Sequence, residues 1–178
     1  ICSGLVGSEM CIRDSVVASP GMGRRARSHH VAAWHHVFNR GARRLPIFGD
    51  DEDRETFLGL LDDVADRAGI HAFALMGNHY HLLLNAPAPD LSAAMKHIGE
   101  TYTRRFNRKY GFDGPLFRSR FGSKPIASDA YLLHAVRYIH RNPVVDGLGD
   151  WRYPWSSHLA YLGSVSYTHL TLPTTRLV

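Results

Sequence analysis

The chain has 178 residues, of which 44% are hydrophobic and 21% charged, with a formal net charge of +5. That length suits one compact domain and not two ordinary ones, and the composition excludes disorder of the whole chain. No apolar run approaches the ~18 residues of a membrane span, and the mild basicity admits a polyanionic partner without requiring one.

The first segment, residues 1–21, holds both cysteines, Cys2 and Cys11. It has no basic start, and Glu9 interrupts its apolar stretch, so it does not read as a signal peptide. Residues 1–21 and 164–178 both resemble translated sequencing-adapter read-through and are set aside as non-native or disordered tails. Met22 is then the expected start, and residues 22–163 the single domain. With no cysteine in that span, disulfides and thiol chemistry are excluded and a cytoplasmic location is expected.

Residues 30–39 (HVAAWHHVFN) read as a strand rich in Val, Trp and Phe. After a turn-rich connector, residues 50–67 read as a helix. Asp50, Asp51, Glu52 and Asp53 sit at its positive end, and Phe57, Leu60, Leu61 and Val64 form its apolar stripe. Residues 70–76 and 80–85 read as two strands joined by Gly77-Asn78, a tight-turn signal. Asp90 or Ser92 is expected to cap a long helix running to about Lys109, which Gly111 and Gly114 break. Residues 117–126 read as another strand. A last helix opens at Ser128 and ends at Asn142, because Pro143 disfavours helical geometry in the residue before it. The first six elements match a ferredoxin-like α+β domain, a split β-α-β with a central antiparallel sheet, to which the C-terminal helix is added.

Charge is uneven along the chain. Residues 50–66 carry eight acidic groups and one basic, whereas residues 96–124 carry eight basic groups and two acidic. Tyr102, Phe106, Tyr110, Phe112, Phe117 and Phe121 are interleaved with the basic groups. Such a stretch suits phosphates and stacked bases, and equally suits a solvated helix face over an aromatic core stripe.

Two local patterns carry chemistry. In the strand NHYHLLL, His79 and His81 are two apart and project from one face, so two imidazoles stand side by side while Tyr80 and Leu82 point into the core. The pair is either a site for a divalent metal or two ordinary histidines among the twelve of the chain. In RYIHRNPV, Tyr138 and Asn142 are four apart on one helix face. They are either a nucleophile with a metal-ligating amide oxygen, or a packed tyrosine and a helix-terminal asparagine.

Together these patterns resemble the REP-associated tyrosine transposases, a branch of the single-tyrosine HUH transposases of bacterial insertion sequences. The His-hydrophobic-His motif stands as His79-Tyr80-His81 and the nucleophile motif as Tyr138 in RYIHRNPV. Phe106-Asn107, GPLFRSRF at 114–121 and PWSS at 154–157 fall in the order typical of the branch. Gly77 and Phe117 depart from it, where proline and tryptophan are usual, and neither is a presumed catalytic residue.

The resemblance implies a nuclease of single-stranded DNA. It implies Tyr138 as the nucleophile that forms a 5′-phosphotyrosine link, and His79, His81 and Asn142 as ligands of Mg2+ or Mn2+. Arg104, Arg105, Arg108, Arg118, Arg120 and Lys124 are expected to contact phosphates. The implied substrate is a repetitive extragenic palindrome folded as a hairpin, met in the nucleoid. Monomer and homodimer both stay open. Three rivals remain: a domesticated hairpin-binding protein that no longer cuts, a metal-dependent hydrolase without a covalent step, and a structural domain with unrelated histidines.

Overall fold

A computed structural model of the protein describes residues 34–163. The two tails expected at 1–21 and 164–178, and the first residues of the strand expected from His30, lie outside the described residues.

The elements run β1 (Trp34–Arg40), a short 3-10 turn (Ala42–Arg44), α1 (Asp51–Asp62), β2 (Gly69–Leu75), β3 (His79–Asn85), α2 (Ala88–Tyr110), β4 (Gly122–Pro125), α3 (Asp129–Val145) and α4 (His158–Tyr161). The four strands form one antiparallel sheet in the order β2-β3-β1-β4. This is the expected ferredoxin-like arrangement with an added helix.

The sheet is covered on both faces, which is why β2 and β3 are buried along almost their whole length. Tyr80, Leu82 and Leu84 of β3 join Phe73, Leu75 and Val37 under α1 and α2, in a core with Phe57, Leu61, Ile98 and Tyr102. The alternate residues face α3, where Ala72, Ala74, Met76 and Leu83 meet Leu132, Val136 and Ile139.

The helix ends follow the side chains available. Asp50 caps α1 by accepting from the Asp53 N–H at 3.0 Å. Ser128 caps α3 by accepting from the Tyr131 N–H at 3.4 Å. Gly111 ends α2 in the left-handed region, φ 68°. Helix α2 starts at Ala88, before either expected cap, because Pro87 and Pro89 suit a first helical turn in which N–H groups lack intrahelical partners anyway.

Helix α3 does not stop at Asn142. It runs on to Val145 with Pro143 inside it, since the Asp146 N–H still reaches the Asn142 carbonyl at 2.9 Å and the Leu148 N–H reaches the Pro143 carbonyl at 2.9 Å. The expected strand 117–126 shortens to Gly122–Pro125. Phe117 keeps only an isolated bridge to Gly41, and its ring turns into the core against Tyr80 and Tyr102.

The PWSS segment at 154–157 lies along the outer edge of β2. The Leu75 N–H donates to the Trp155 carbonyl at 2.8 Å and the Ser157 N–H to the Phe73 carbonyl at 3.0 Å. An edge that would otherwise offer unpaired backbone groups is thereby closed.

Candidate functional site

Strand alternation puts His79 and His81 on the face of the sheet that α3 covers, together with Leu83. Directly opposite residues of an antiparallel pair share a face. The register Arg40↔His79, Phe38↔His81 and His36↔Leu83 therefore adds Arg40, Phe38 and His36 from β1. The register His36↔Lys124 adds Lys124 from β4.

The two motif rings stand edge to face with centroids 5.3 Å apart. At a metal–nitrogen distance of about 2.1 Å, two imidazoles on one ion have centroids up to roughly 6.5 Å apart, so this separation fits shared ligation. Each ring uses Nδ1 within the protein. His79 Nδ1 lies 2.7 Å from Asn78 Oδ1, and His81 Nδ1 lies 3.0 Å from His36 Nε2. Burial first, then the electrostatic influence of His36, His79, Arg40 and Lys124, holds His81 well below the usual imidazole range. A neutral ring is the form that can ligate.

Helix α3 brings the second motif to the same place. The half-buried Tyr138 ring is 5.5 Å from His81, edge to face, and 5.6 Å from His36. One turn on, the buried Asn142 donates from Nδ2 to the Tyr138 carbonyl at 2.7 Å. A carbonyl only accepts, so the amide must present Oδ1 at its other end, the oxygen that a hard cation prefers. One further turn on, Asp146 Oδ2 lies 3.7 Å from His79 Nε2. No cluster of three His, Cys, Asp or Glu groups suited to a metal occurs among the described residues, so a cation here would rely on the asparagine oxygen as well as the two histidines.

The expected phosphate contacts divide. Lys124 is on the site face, with Nζ 5.7 Å from the centre of the Phe38 ring. Arg118 and Arg120 are exposed on the loop beside the end of β1, where the Arg118 N–H donates to the Arg40 carbonyl at 2.9 Å. Arg104, Arg105 and Arg108 are exposed on α2, whose packed side covers the opposite face of the sheet, so the fold does not bring them to the histidines. Lys109, part of the basic stretch, is bound by Asp50 at 2.8 Å, Glu52 at 2.8 Å and Asp53 at 3.1 Å, and ties the end of α2 to the start of α1.

Sequence reading missed His36, Arg40, Asn78 and Asp146. Asp146 continues the four-residue spacing of Tyr138 and Asn142, a signal that was available. His36 and Arg40 needed the strand register, which periodicity does not supply.

Beside His79 is a shallow cleft of about 420 Å³ lined by Arg44, Pro46, Met76, Asn78, Asp146 and Leu148 among others. Its rim turns through Arg43 and Arg44, two successive non-glycine residues in the left-handed region, φ 53° and 63°. Such conformations cost of order 1–2 kcal/mol each and persist only where surrounding contacts impose them. Here the imposing contacts are the Gly41 N–H on the Asn78 carbonyl, 2.8 Å, and the Ile47 N–H on the Gly77 carbonyl, 2.9 Å.

An antiparallel α+β sheet with two histidines and a helix-borne tyrosine meeting on one face is the arrangement expected from the resemblance to the tyrosine transposases. The family profile described as "Transposase IS200 like" matches residues 29–142, more than half of the chain. The chain belongs to this family and so to the transposases, enzymes that process DNA. A solved REP-associated tyrosine transposase bound to a REP hairpin shares its fold, with TM-score 0.63 and 19% identity over 83% of this chain and 96% of that one. A candidate transposase from Deinococcus radiodurans R1 is also 19% identical, over 66% of this chain and 95% of its own, with TM-score 0.43. No curated protein matches the chain. No helix among the described residues is long and apolar enough to cross a membrane.

Proposed function

We propose that this chain is a metal-dependent, single-stranded DNA endonuclease and strand transferase of the REP-associated kind, one domain over residues 22–163 that acts on palindromic hairpin DNA through Tyr138. The observation that carries this reading is the Tyr138 ring 5.5 Å from His81 within one chain, on a sheet face lined by His79, Arg40 and Lys124. Support for a hairpin substrate comes from the REP hairpin bound to the solved protein of the same fold.

In this reading His79, His81 and Asn142 hold Mg2+ or Mn2+, with the Asp146 carboxylate beside His79. When bound, the cation supplies Lewis-acid polarisation of a non-bridging phosphate oxygen. Arg40 and Lys124 hold the phosphates at the cut, and Arg118 and Arg120 hold the strand as it leaves. Arg104, Arg105 and Arg108, on the far face, serve only phosphates away from the cut. The Tyr138 oxygen attacks the phosphorus in line. An O–P bond to tyrosine forms, the bond from phosphorus to the 3′ oxygen breaks, and that oxygen leaves as a 3′-OH. The phenolic proton passes to solvent as one is taken up by the leaving oxygen. The 5′-phosphotyrosine conserves the ester, so a second 3′-OH can attack it and join strands without ATP.

The test is a labelled single-stranded hairpin, cut by an active relative, incubated with the protein and Mn2+. A denaturation-resistant protein–DNA adduct is expected. Tyr138→Phe should bind the hairpin and form no adduct. Hairpin binding without an adduct in the wild type would instead mark a protein that only binds, and a released cut product without an adduct a simple hydrolase.

A further inference from the structure

Asn78, immediately before the first motif histidine, is tied at both ends of its side-chain amide. Nδ2 donates to the Arg44 carbonyl at 3.1 Å, and Oδ1 lies 2.7 Å from His79 Nδ1. A carbonyl oxygen only accepts, so the end of the amide that faces Arg44 must be its NH2 group. The end facing His79 is then the oxygen, which also only accepts. His79 Nδ1 must therefore carry the proton and donate it. In the neutral ring, the form that ligates a metal, the lone pair then falls on Nε2, the nitrogen that lies 3.7 Å from Asp146 Oδ2 at the end of α3.

We infer that Asn78 is a positioning residue, which locks His79 in the tautomer that turns the Nε2 lone pair toward a divalent cation and takes its own orientation from the Arg44 carbonyl. The cation rests on the function proposed above; the tautomer does not. The turn at Arg43 and Arg44 gains a purpose from this. Its left-handed backbone, φ 53° and 63°, aims a carbonyl at Asn78, and without that acceptor the amide could turn over. A reversed amide would offer NH2 to His79 Nδ1, place the imidazole proton on Nε2 and close the ring to a metal. A ligand's other ring nitrogen is commonly fixed by such a partner, and loss of the partner typically weakens metal binding 10- to 100-fold.

The test uses the full chain labelled with 15N at histidine, without metal and near neutral pH. Two-bond 15N–1H correlation spectra report which ring nitrogen carries the proton, and a Mn2+ titration followed by electron paramagnetic resonance reports affinity. The wild type is expected to carry the His79 proton on Nδ1. Asn78→Ala should move that proton toward Nε2 and weaken Mn2+ binding by about 10- to 100-fold. Asn78→Asp should keep the proton on Nδ1, because a carboxylate also accepts from it. A wild-type proton on Nε2 overturns the inference, as does an Asn78→Ala variant that keeps the wild-type tautomer. If Asn78→Ala does not fold, the wild-type and Asn78→Asp spectra still decide. A wild type with the proton on Nδ1 that takes up no Mn2+ refutes the metal-dependent nuclease and upholds the tautomer lock.

Discussion

Ser157→Ala removes one oxygen atom from a position with two jobs. Ser157 Oγ accepts from the Phe73 N–H at 2.9 Å and lies 2.8 Å from His140 Nε2. The residue is 0% exposed, so bulk water cannot take its place. The change deprives a backbone donor of β2 and a buried imidazole of this partner, each worth about 1–3 kcal/mol. The expected loss is about 2–6 kcal/mol, a large part of the ~5–15 kcal/mol that holds a typical domain. Ser156→Ala is the control. It is also buried, but among the described residues its hydroxyl takes only the nearby His158 N–H, at 3.3 Å, and it should lose no more than about 1 kcal/mol. Urea unfolding followed by tryptophan fluorescence measures both. Because His140 sits two residues after Tyr138 on α3, the stronger variant should also form less DNA adduct at temperatures where it remains folded. Equal losses for the two serines, or less than about 0.5 kcal/mol for Ser157→Ala, would refute the reasoning.

Acid should weaken the fold in a defined window. Burial lowers the His71 and His140 pKa values to about 4 from an ordinary 6.5. Their contribution is complete above the unfolded value and is lost as pH falls toward the folded one, at up to about 1.4 kcal/mol per pH unit for each histidine. A urea midpoint that stays flat from pH 6.5 to 4 would mean that both rings charge as readily folded as unfolded. Gly41→Ala would drive a Cβ into the Leu45 carbonyl oxygen, a backbone atom that cannot yield cheaply, and should cost about 1–3 kcal/mol in the same assay. Lys124→Ala should reduce the salt dependence of hairpin binding by about one phosphate contact and reduce adduct formation with it. Arg104→Ala, on the far face, should leave adduct formation nearly unchanged, and an equal effect of the two would place the DNA differently.

The amino-acid sequence by itself determined the element order and the two motifs. Alternation along β3 put His79 and His81 on one face and Tyr80 and Leu82 on the other, and the four-residue spacing on α3 put Tyr138 in line with Asn142, because both regularities are local backbone geometry. The acidic helix start at residues 50–53, the opening of the last helix at Ser128 and the break at Gly111 were legible for the same reason. Helix α3 passing through Pro143 was not, because the outcome depended on hydrogen bonds of the following turn and on burial. The face that α2 turns away from the histidines was also beyond local reading, since a helix's exposed arginines look alike on either side of a sheet. His36, Arg40 and Lys124 came to the site only through strand register, and Asn78 acquired its role only when the Arg43–Arg44 turn folded against it. Those are contacts between residues far apart in the chain, selected by packing rather than by periodicity, and only the tertiary structure decides them.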